Sequence, residues 1–379
     1  MVPQSSRPSS PLLRAAVRVA VPGAFLLLAL AAACSQPAAQ SKAPPVCNME
    51  TTECIVAVGD VHGAYDQFVG ILRAAGLIDQ QNRWSGGRTV FVQTGDVPHR
   101  GDGTRKAFDL LRQLERDAPK AGGRVHALLG NHEVMSMIGD WRYVSAGEYA
   151  AFTSVASAGL RERAFEAAAE VEAERAQRNR TRYDESSFRA QFEKQVPLGA
   201  VEMRQAFEPN GEYGRWLRTH DTVIRINGIL FVHGGIDPAA AAMGCETINS
   251  TVRKEIAGGR PSSAAAAKMF ASSDNGPLWY RGVSQEPEAA YAPSVTTALD
   301  RMGARAMVVG HTVALGRMAT RFGGRVVMID TGMLDGDIFP GGVASALEIR
   351  GETATAIYMD RREPVTLAQR ATPAAAAAH

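Results

Sequence analysis

"TVFVQTGDVPHRG" (89–101) decides how the rest of the chain is read. An unbroken apolar run, "TVFVQ", stops at Gly95-Asp96. A carboxylate (Asp96), an imidazole (His99) and a guanidinium (Arg100) then follow within five residues. A short run rich in Val and Phe, ended by a Gly turn, predicts a buried strand. The same design recurs upstream in "CIVAVGDVHG" (54–63) and downstream in "RVHALLGNHE" (124–133). Between these strands lie "YDQFVGILRAAG" (65–76), with Tyr65, Phe68, Val69 and Leu72 on one helical face, and the amphipathic "TRKAFDLLRQLERD" (104–117). Alternating strands and helices predict an α/β sheet whose polar residues gather at the C-terminal strand ends, where such sheets hold ligands.

Strands return in "TVIRINGILFVHGG" (222–235), where Asn227-Gly228 between apolar runs signals a two-residue hairpin. "ARAMVVGHT" (304–312) is another strand with a polar end. "RMATRFGGRVVMID" (317–330) and "ASALEIRGETATAIYMD" (344–360) complete a β-rich second half, predicting a second sheet packed on the first. Residues 145–218, rich in Ala, Glu, Arg and Gln, read as a helical insertion. They either cover the strand ends or form a plain surface helix pair.

The chain has 379 residues and net charge +2. Its first 33 carry Arg7, Arg14 and Arg18, then a short apolar core, and read as an export leader. The apolar run to Ala33 is short for a membrane span and is interrupted by Pro22 and Gly23. Removing three Arg takes the net charge to −1, so no basic excess exists to collect nucleic acid. "LAAAC" (30–34) resembles the lipobox of bacterial lipoproteins, with Ala31 where that motif usually has Leu. It implies a lipid anchor at Cys34, and Ser35 implies sorting to the outer membrane, facing the periplasm. Residues 34–53 read as a flexible tether, 54–360 as the folded domain and 361–379 as a disordered tail. Export permits disulfides, and Cys47–Cys54 would pin the tether to the first strand, leaving Cys245 over.

Five strand ends carry Asp60 and His62, Asp96, Asn131 and His132, His233, and His311. Buried Asp and His need partners, and a divalent metal partners many at once. Carboxylate, imidazole and carbonyl donors without thiolate suit Mn, Fe, Zn or Co. Six ligands are too many for one ion that keeps an open position. Two ions about 3.5–4 Å apart, sharing a carboxylate, fit better and favour phosphoryl chemistry.

"GDVHG", "GDVPHRG", "GNHE", "HGG" and "GHT", in this order, resemble the calcineurin-like metallophosphoesterases of the phosphoprotein phosphatase type. "MSMIGDWRYVS" (135–145), "GRWLRTHDTVIRINGILFVHGGID" (214–237) and "GPLWYRG" (276–282) are similar to the Shewanella-like bacterial branch. The resemblance spans roughly 55–332 and implies an α/β/β/α two-sheet sandwich. It also implies phosphomonoester hydrolysis, on phosphorylated proteins or peptides, by a metal-bridging hydroxide. Asp60 and His62 would hold one ion, Asp96 would bridge, and Asn131, His233 and His311 would hold the other; manganese is favoured, with Fe or Zn as alternatives. Arg100 would grip phosphate, His132 would protonate the leaving oxygen, and Arg281 would be a second phosphate-binding arginine. Glu133, Arg142, Tyr280 and His99 would line or support the site. The family reads Asp where this chain has His99, and that Asp orients the catalytic histidine. His99 is thus expected either against His132 or, as in purple acid phosphatases, as an extra metal ligand. Hydrolysis of nucleotides such as diadenosine tetraphosphate is the alternative activity. A tethered phosphopeptide-binding protein with a dead site is the remote one.

Overall fold

The chain is described by a computed structural model over residues 47–370. Residues 1–46, which include the expected leader and Cys34, and residues 371–379 lie outside the described residues. Among the described residues twelve strands are formed: β1 (Asn48–Met49), β2 (Ile55–Val58), β3 (Val90–Gln93), β4 (Arg124–Ala127), β5 (Val223–Ile226), β6 (Ile229–Val232), β7 (Ala306–Val309), β8 (Ala319–Arg321), β9 (Val326–Met328), β10 (Ser345–Arg350), β11 (Thr353–Tyr358) and β12 (Arg362–Val365). They make two six-stranded sheets, ordered β12-β11-β10-β2-β3-β4 and β1-β5-β6-β7-β9-β8.

Side-chain alternation builds the layers. In β2, Ile55 and Ala57 join a core between the sheets, where they meet Ile229 and Phe231 of β6. Val56 and Val58 face the other way, into a core with Phe68 and Leu72 of α1 (Tyr65–Ala74) and Phe108 and Leu111 of α2 (Thr104–Asp117). Leu230 and Val232 of β6 face the outer helices with Val295 and Leu299. Both faces of the central strands are therefore dry, which is why they read as unbroken apolar runs rather than alternating ones. The architecture is the expected α/β/β/α sandwich. Asn227 (φ 51°) and Gly228 (φ 70°) turn the β5–β6 hairpin in the left-handed conformation that an Asn-Gly pair accommodates.

Four expectations are corrected. The end of the 34–53 tether is structured: β1 pairs in parallel with β5. Cys47 bonds Cys245, not Cys54, because β1 runs beside β5 and brings Cys47 to the start of the helix Cys245–Ile256. Cys54 is a free thiol, pushed up to about 11 by burial. The chain beyond residue 360 is not a tail from its first residue, since β12 pairs antiparallel with β11. Finally, β10 and β11 leave the second half of the sequence to join the first sheet, β10 lying antiparallel to β2.

The 145–218 insertion is helical but divides between two compact units, 47–152 with 203–370, and 153–202. In the larger unit, Phe152, Phe207, Tyr213 and Leu217 belong to the core around Phe108. In the smaller unit, two helices, Ser157–Asn179 and Glu185–Gln195, close on Phe165, Phe188 and Phe192. Arg189 there forks onto Glu162 at 2.7 and 2.8 Å. No described helix is long and apolar enough to cross a membrane.

Candidate active site

Strands β2, β3 and β4 run parallel in one sheet, and β6 and β7 run parallel in the other. Their C-terminal ends deliver Asp60, His62, Asp96, Asn131, His132, His233 and His311 to one place. The loops there are tightly turned: His62, Asp96, His99, Arg100 and His311 all have positive φ, between 48° and 75°. Such backbone costs energy in non-glycine residues and is held only by surrounding contacts. Gly95 and Gly130 permit the closest approach. A Cβ on Gly95 would lie 2.4 Å from the Gly130 amide nitrogen, and one on Gly130 2.3 Å from Asp96 Oδ1.

Asp96 is the hub. Its Oδ1 accepts the His132 amide N–H at 2.9 Å and lies 3.3 Å from His233 Nε2; its Oδ2 lies 3.8 Å from His62 Nε2 and 3.7 Å from His132 Nε2. Asp60 Oδ2 sits 3.7 Å from His62 Nε2, and Asn131 Oδ1 2.8 Å from His233 Nε2. The ring orientations follow one rule. His62 Nδ1 faces the Pro98 carbonyl at 3.3 Å and His233 Nδ1 the Thr94 carbonyl at 3.1 Å. A carbonyl only accepts, so each Nδ1 carries a proton and each Nε2 is turned toward the carboxylates, as in metal-binding histidines. Glu133, from α3 (Asn131–Ile138), ties the loops together by accepting the amide N–H groups of Asp96, Val97 and Gly130 at 2.8–2.9 Å.

The cluster is electrostatically crowded. Burial and then Asp330 push Asp60 well above the usual carboxylate range. Burial opposes ionisation of Asp96, but the nearby His132 and His233 outweigh it and hold Asp96 well below that range. His233 is carried up to about 9, the Asp96 and Asp60 charges outweighing its burial. Burial drives His62 down to about 3 and His99 to about 4, and lowers His132 and His311. Glu133 rises to about 7 and Asp330 to about 6, burial being the main cause in both. His311 Nε2 and Asp330 Oδ2 are buried without a hydrogen-bond partner. Two donor sets converge, His62–Asp96–His132 and Asp96–His233–His311, each with ligand atoms within 4.8 Å of one another. Crowded carboxylates, imidazole Nε2 atoms turned inward and an unpartnered imidazole nitrogen fit divalent cations.

Beside this cluster, Arg100 lies between two aromatic rings, its guanidinium carbon 5.1 Å from the Tyr143 centroid and 5.3 Å from that of Phe339. Its Nε is buried and unpartnered. Tyr143 also stacks on His132 (5.1 Å, 23°), and Phe339 on His62 (5.9 Å, 29°).

A calcineurin-like phosphoesterase model matches residues 55–315. The chain belongs to the calcineurin-like phosphoesterases. It is 30% identical over 325 residues to the Shewanella-like protein phosphatase 2 of Arabidopsis thaliana, covering 81% of this chain and 78% of that one. It is 26% identical over 291 residues to the Shewanella-like protein phosphatase 1 of Plasmodium berghei, covering 76% and 68%. Among solved structures, the cold-active protein-tyrosine phosphatase of a psychrophilic Shewanella species superposes with a TM-score of 0.63 at 25% identity, covering 85% of this chain and 83% of that one. The protein is a metal-dependent phosphatase, and its Asp/His groups are where divalent metal would bind.

Not every expected residue reaches the site. Arg281 does approach it, but one guanidinium nitrogen is spent on the His311 carbonyl and Thr312 Oγ1, both at 3.1 Å. Tyr280 points the other way: it packs in the outer core, and its hydroxyl pairs with Tyr291. Adjacent residues of a turn diverge, so nearness to Arg281 in sequence misled. Arg142 is exposed and closes a fork on its neighbour Asp140 at 2.7–3.0 Å. His99 meets His132, Nδ1 to Nδ1 at 3.0 Å, and its Nε2 lies 3.0 Å from Ser136 Oγ. With both ring nitrogens engaged, it has no lone pair to offer a metal. Phe339 and Ser136 escaped the sequence reading. Nothing in "DIFPGG" marks Phe339, whereas Ser136 stands one helical turn after His132 and could have been found by that spacing.

Proposed function

We propose that this protein removes phosphate from phosphorylated proteins or peptides, with phosphotyrosine favoured over phosphoserine and phosphothreonine, using two divalent ions of which manganese is the first choice. The observation that carries the reading is Arg100, set between the Tyr143 and Phe339 rings beside the Asp/His cluster. A phosphate gripped there places an aryl leaving group against aromatic walls. The Shewanella protein with the similar structure is named a protein-tyrosine phosphatase, which supports the same substrate.

In this reading Asp60 and His62 would hold one ion, Asn131, His233 and His311 the other, and Asp96 would serve both. The ions would supply charge neutralisation on the phosphoryl oxygens and acidification of the attacking water. Arg100 binds phosphate through its fork, and Arg281 adds a second guanidinium. His132 Nε2 delivers the proton to the leaving oxygen. We further place the chain outside the cytoplasm, held by lipid at Cys34. The leader and the Cys47–Cys245 pair support this; palmitate labelling abolished by Cys34→Ser would test it.

The deciding experiment is phosphate release from phosphotyrosine, phosphoserine and phosphothreonine peptides and from diadenosine tetraphosphate, with Mn, Zn, Mg or chelator. Phosphotyrosine turnover, stimulated by Mn and abolished by chelator, is expected. Turnover of the dinucleotide alone would move the assignment to nucleotides. No turnover with any metal, with tight phosphopeptide binding, would leave a binding protein.

A further inference from the structure

Ser136 has no assigned role, yet its hydroxyl sits in a closed ring of contacts. Its Oγ lies 3.0 Å from the His132 carbonyl and 3.0 Å from His99 Nε2, while His99 Nδ1 lies 3.0 Å from His132 Nδ1. All three residues are buried, none more than 2% exposed. The His99 backbone is fixed at φ 75°, its N–H donating to Glu148 Oε1 at 2.9 Å and meeting Thr104 Oγ1 at 3.2 Å. Neither ring nitrogen of His99 meets a carboxylate among the described residues.

The proton directions follow from chemistry. A carbonyl oxygen only accepts. The Ser136 hydroxyl therefore points its hydrogen at the His132 carbonyl; otherwise two oxygens would face at 3.0 Å with no proton between them. Oγ is then the acceptor for a proton on His99 Nε2. A neutral imidazole carries one N–H, so His99 Nδ1 is bare and accepts from His132 Nδ1–H. That leaves His132 Nε2 bare, 3.7 Å from Asp96 Oδ2.

We infer that Ser136 is a positioning residue for His132: through His99 it sets which His132 nitrogen carries the proton, keeping Nδ1 protonated and Nε2 open to the site. The consequence is chemical. With Nδ1–H held, Nε2 can load a proton to make an imidazolium and deliver it to a leaving oxygen, returning to the neutral ring. In the opposite tautomer Nε2–H could leave only by forming an imidazolate. A carboxylate orienter such as Asp needs no help, because it can only accept. Histidine is ambivalent, so this chain requires a third group to break the tie. The α3 turn supplies it four residues after His132, by the ordinary serine bond back to the carbonyl one turn earlier.

The inference rests on the proposed role of His132, and the test separates the two. Nitrogen-15 spectra of histidine-labelled, Zn-loaded protein should show His132 protonated at Nδ1, with Nε2 bare or, in the imidazolium, protonated as well. A proton on Nε2 with Nδ1 bare overturns the inference, whatever the activity. In kinetics, Ser136→Ala should lower kcat about tenfold with KM within about twofold, small beside the roughly 10⁴-fold loss when a catalytic histidine is locked in the wrong tautomer. Ser136→Thr, which keeps the hydroxyl, should recover most of the loss. The cost of Ser136→Ala should shrink several-fold when His99→Asp is present, because a carboxylate fixes the tautomer alone. An equal cost in both backgrounds, or none in either, refutes the positioning role. A wild type that releases no phosphate from any substrate defeats the proposed function, while the nitrogen spectrum still decides the tautomer.

Discussion

Asp96 divides two oxygens among three imidazoles and one amide, and that crowding makes it the most sensitive side chain. Asp96→Asn keeps the shape and removes the charge. It should lower kcat by about 10²–10³-fold, the scale of removing one preorganised electrostatic group, and reduce bound metal. Phosphate release and elemental analysis would read both. His99→Ala should behave differently. Its ring nitrogens are committed to His132 and Ser136, so metal content should stay at the wild-type value while kcat falls. A loss of metal in that variant would restore the extra-ligand reading. The ligand candidates were legible because each follows an apolar strand and a glycine. Phe339 was not, since a phenylalanine in a loop has no chemistry until a neighbour supplies it; Ser136 showed only its helical spacing from His132, and its contact with His99 needed the fold.

The short helix Ala146–Ala151 begins with Ser145 accepting the Glu148 N–H at 3.0 Å, and Glu148 answers by accepting the Ser145 N–H at 3.1 Å. This capping box also holds the His99 loop, since Glu148 accepts from His99 and from Thr104. Burial pushes Glu148 from 4.5 up to about 7. Its folded-state pKa lies above its unfolded one, so the folded protein binds the extra proton between those values. Stability should therefore fall as pH rises from 4.5 through 7, by about 3 kcal/mol for this group. Glu148→Gln should flatten that slope, seen as the wild-type minus variant difference in urea unfolding against pH. A difference independent of pH would contradict it. In β6, Phe231 is wholly buried between the sheets two residues before His233. Phe231→Ala should cost about 3–5 kcal/mol, measured by denaturant melts. The strand pattern was readable from its apolar run, whereas the facing of Phe231 toward the other sheet depends on pairing register.

At the scale of the molecule, the Cys47–Cys245 bond closes a loop of sequence separation 198 and holds β1 against the edge of the second sheet. Loops this long carry a large chain-entropy term, about 5 kcal/mol in the simplest account. Cys47→Ser or Cys245→Ser should lower the unfolding midpoint markedly, while Cys54→Ser should not. Peptide mapping without reductant should recover the 47–245 pair. A Cys47–Cys54 pair would overturn the assignment.

The sequence by itself determined the strands, the Asn227-Gly228 hairpin, the sandwich class and the set of Asp, His and Asn residues at strand ends, because these depend on local periodicity and on what a buried polar group requires. Only the tertiary structure decided which distant segments meet. It brought β10 beside β2 and Cys47 to Cys245 and turned Tyr280 into the core. It also set Arg100 between Tyr143 and Phe339 and closed the Ser136–His99–His132 ring. Pairing register and ring direction are long-range outcomes of packing, and no window of neighbouring residues contains them.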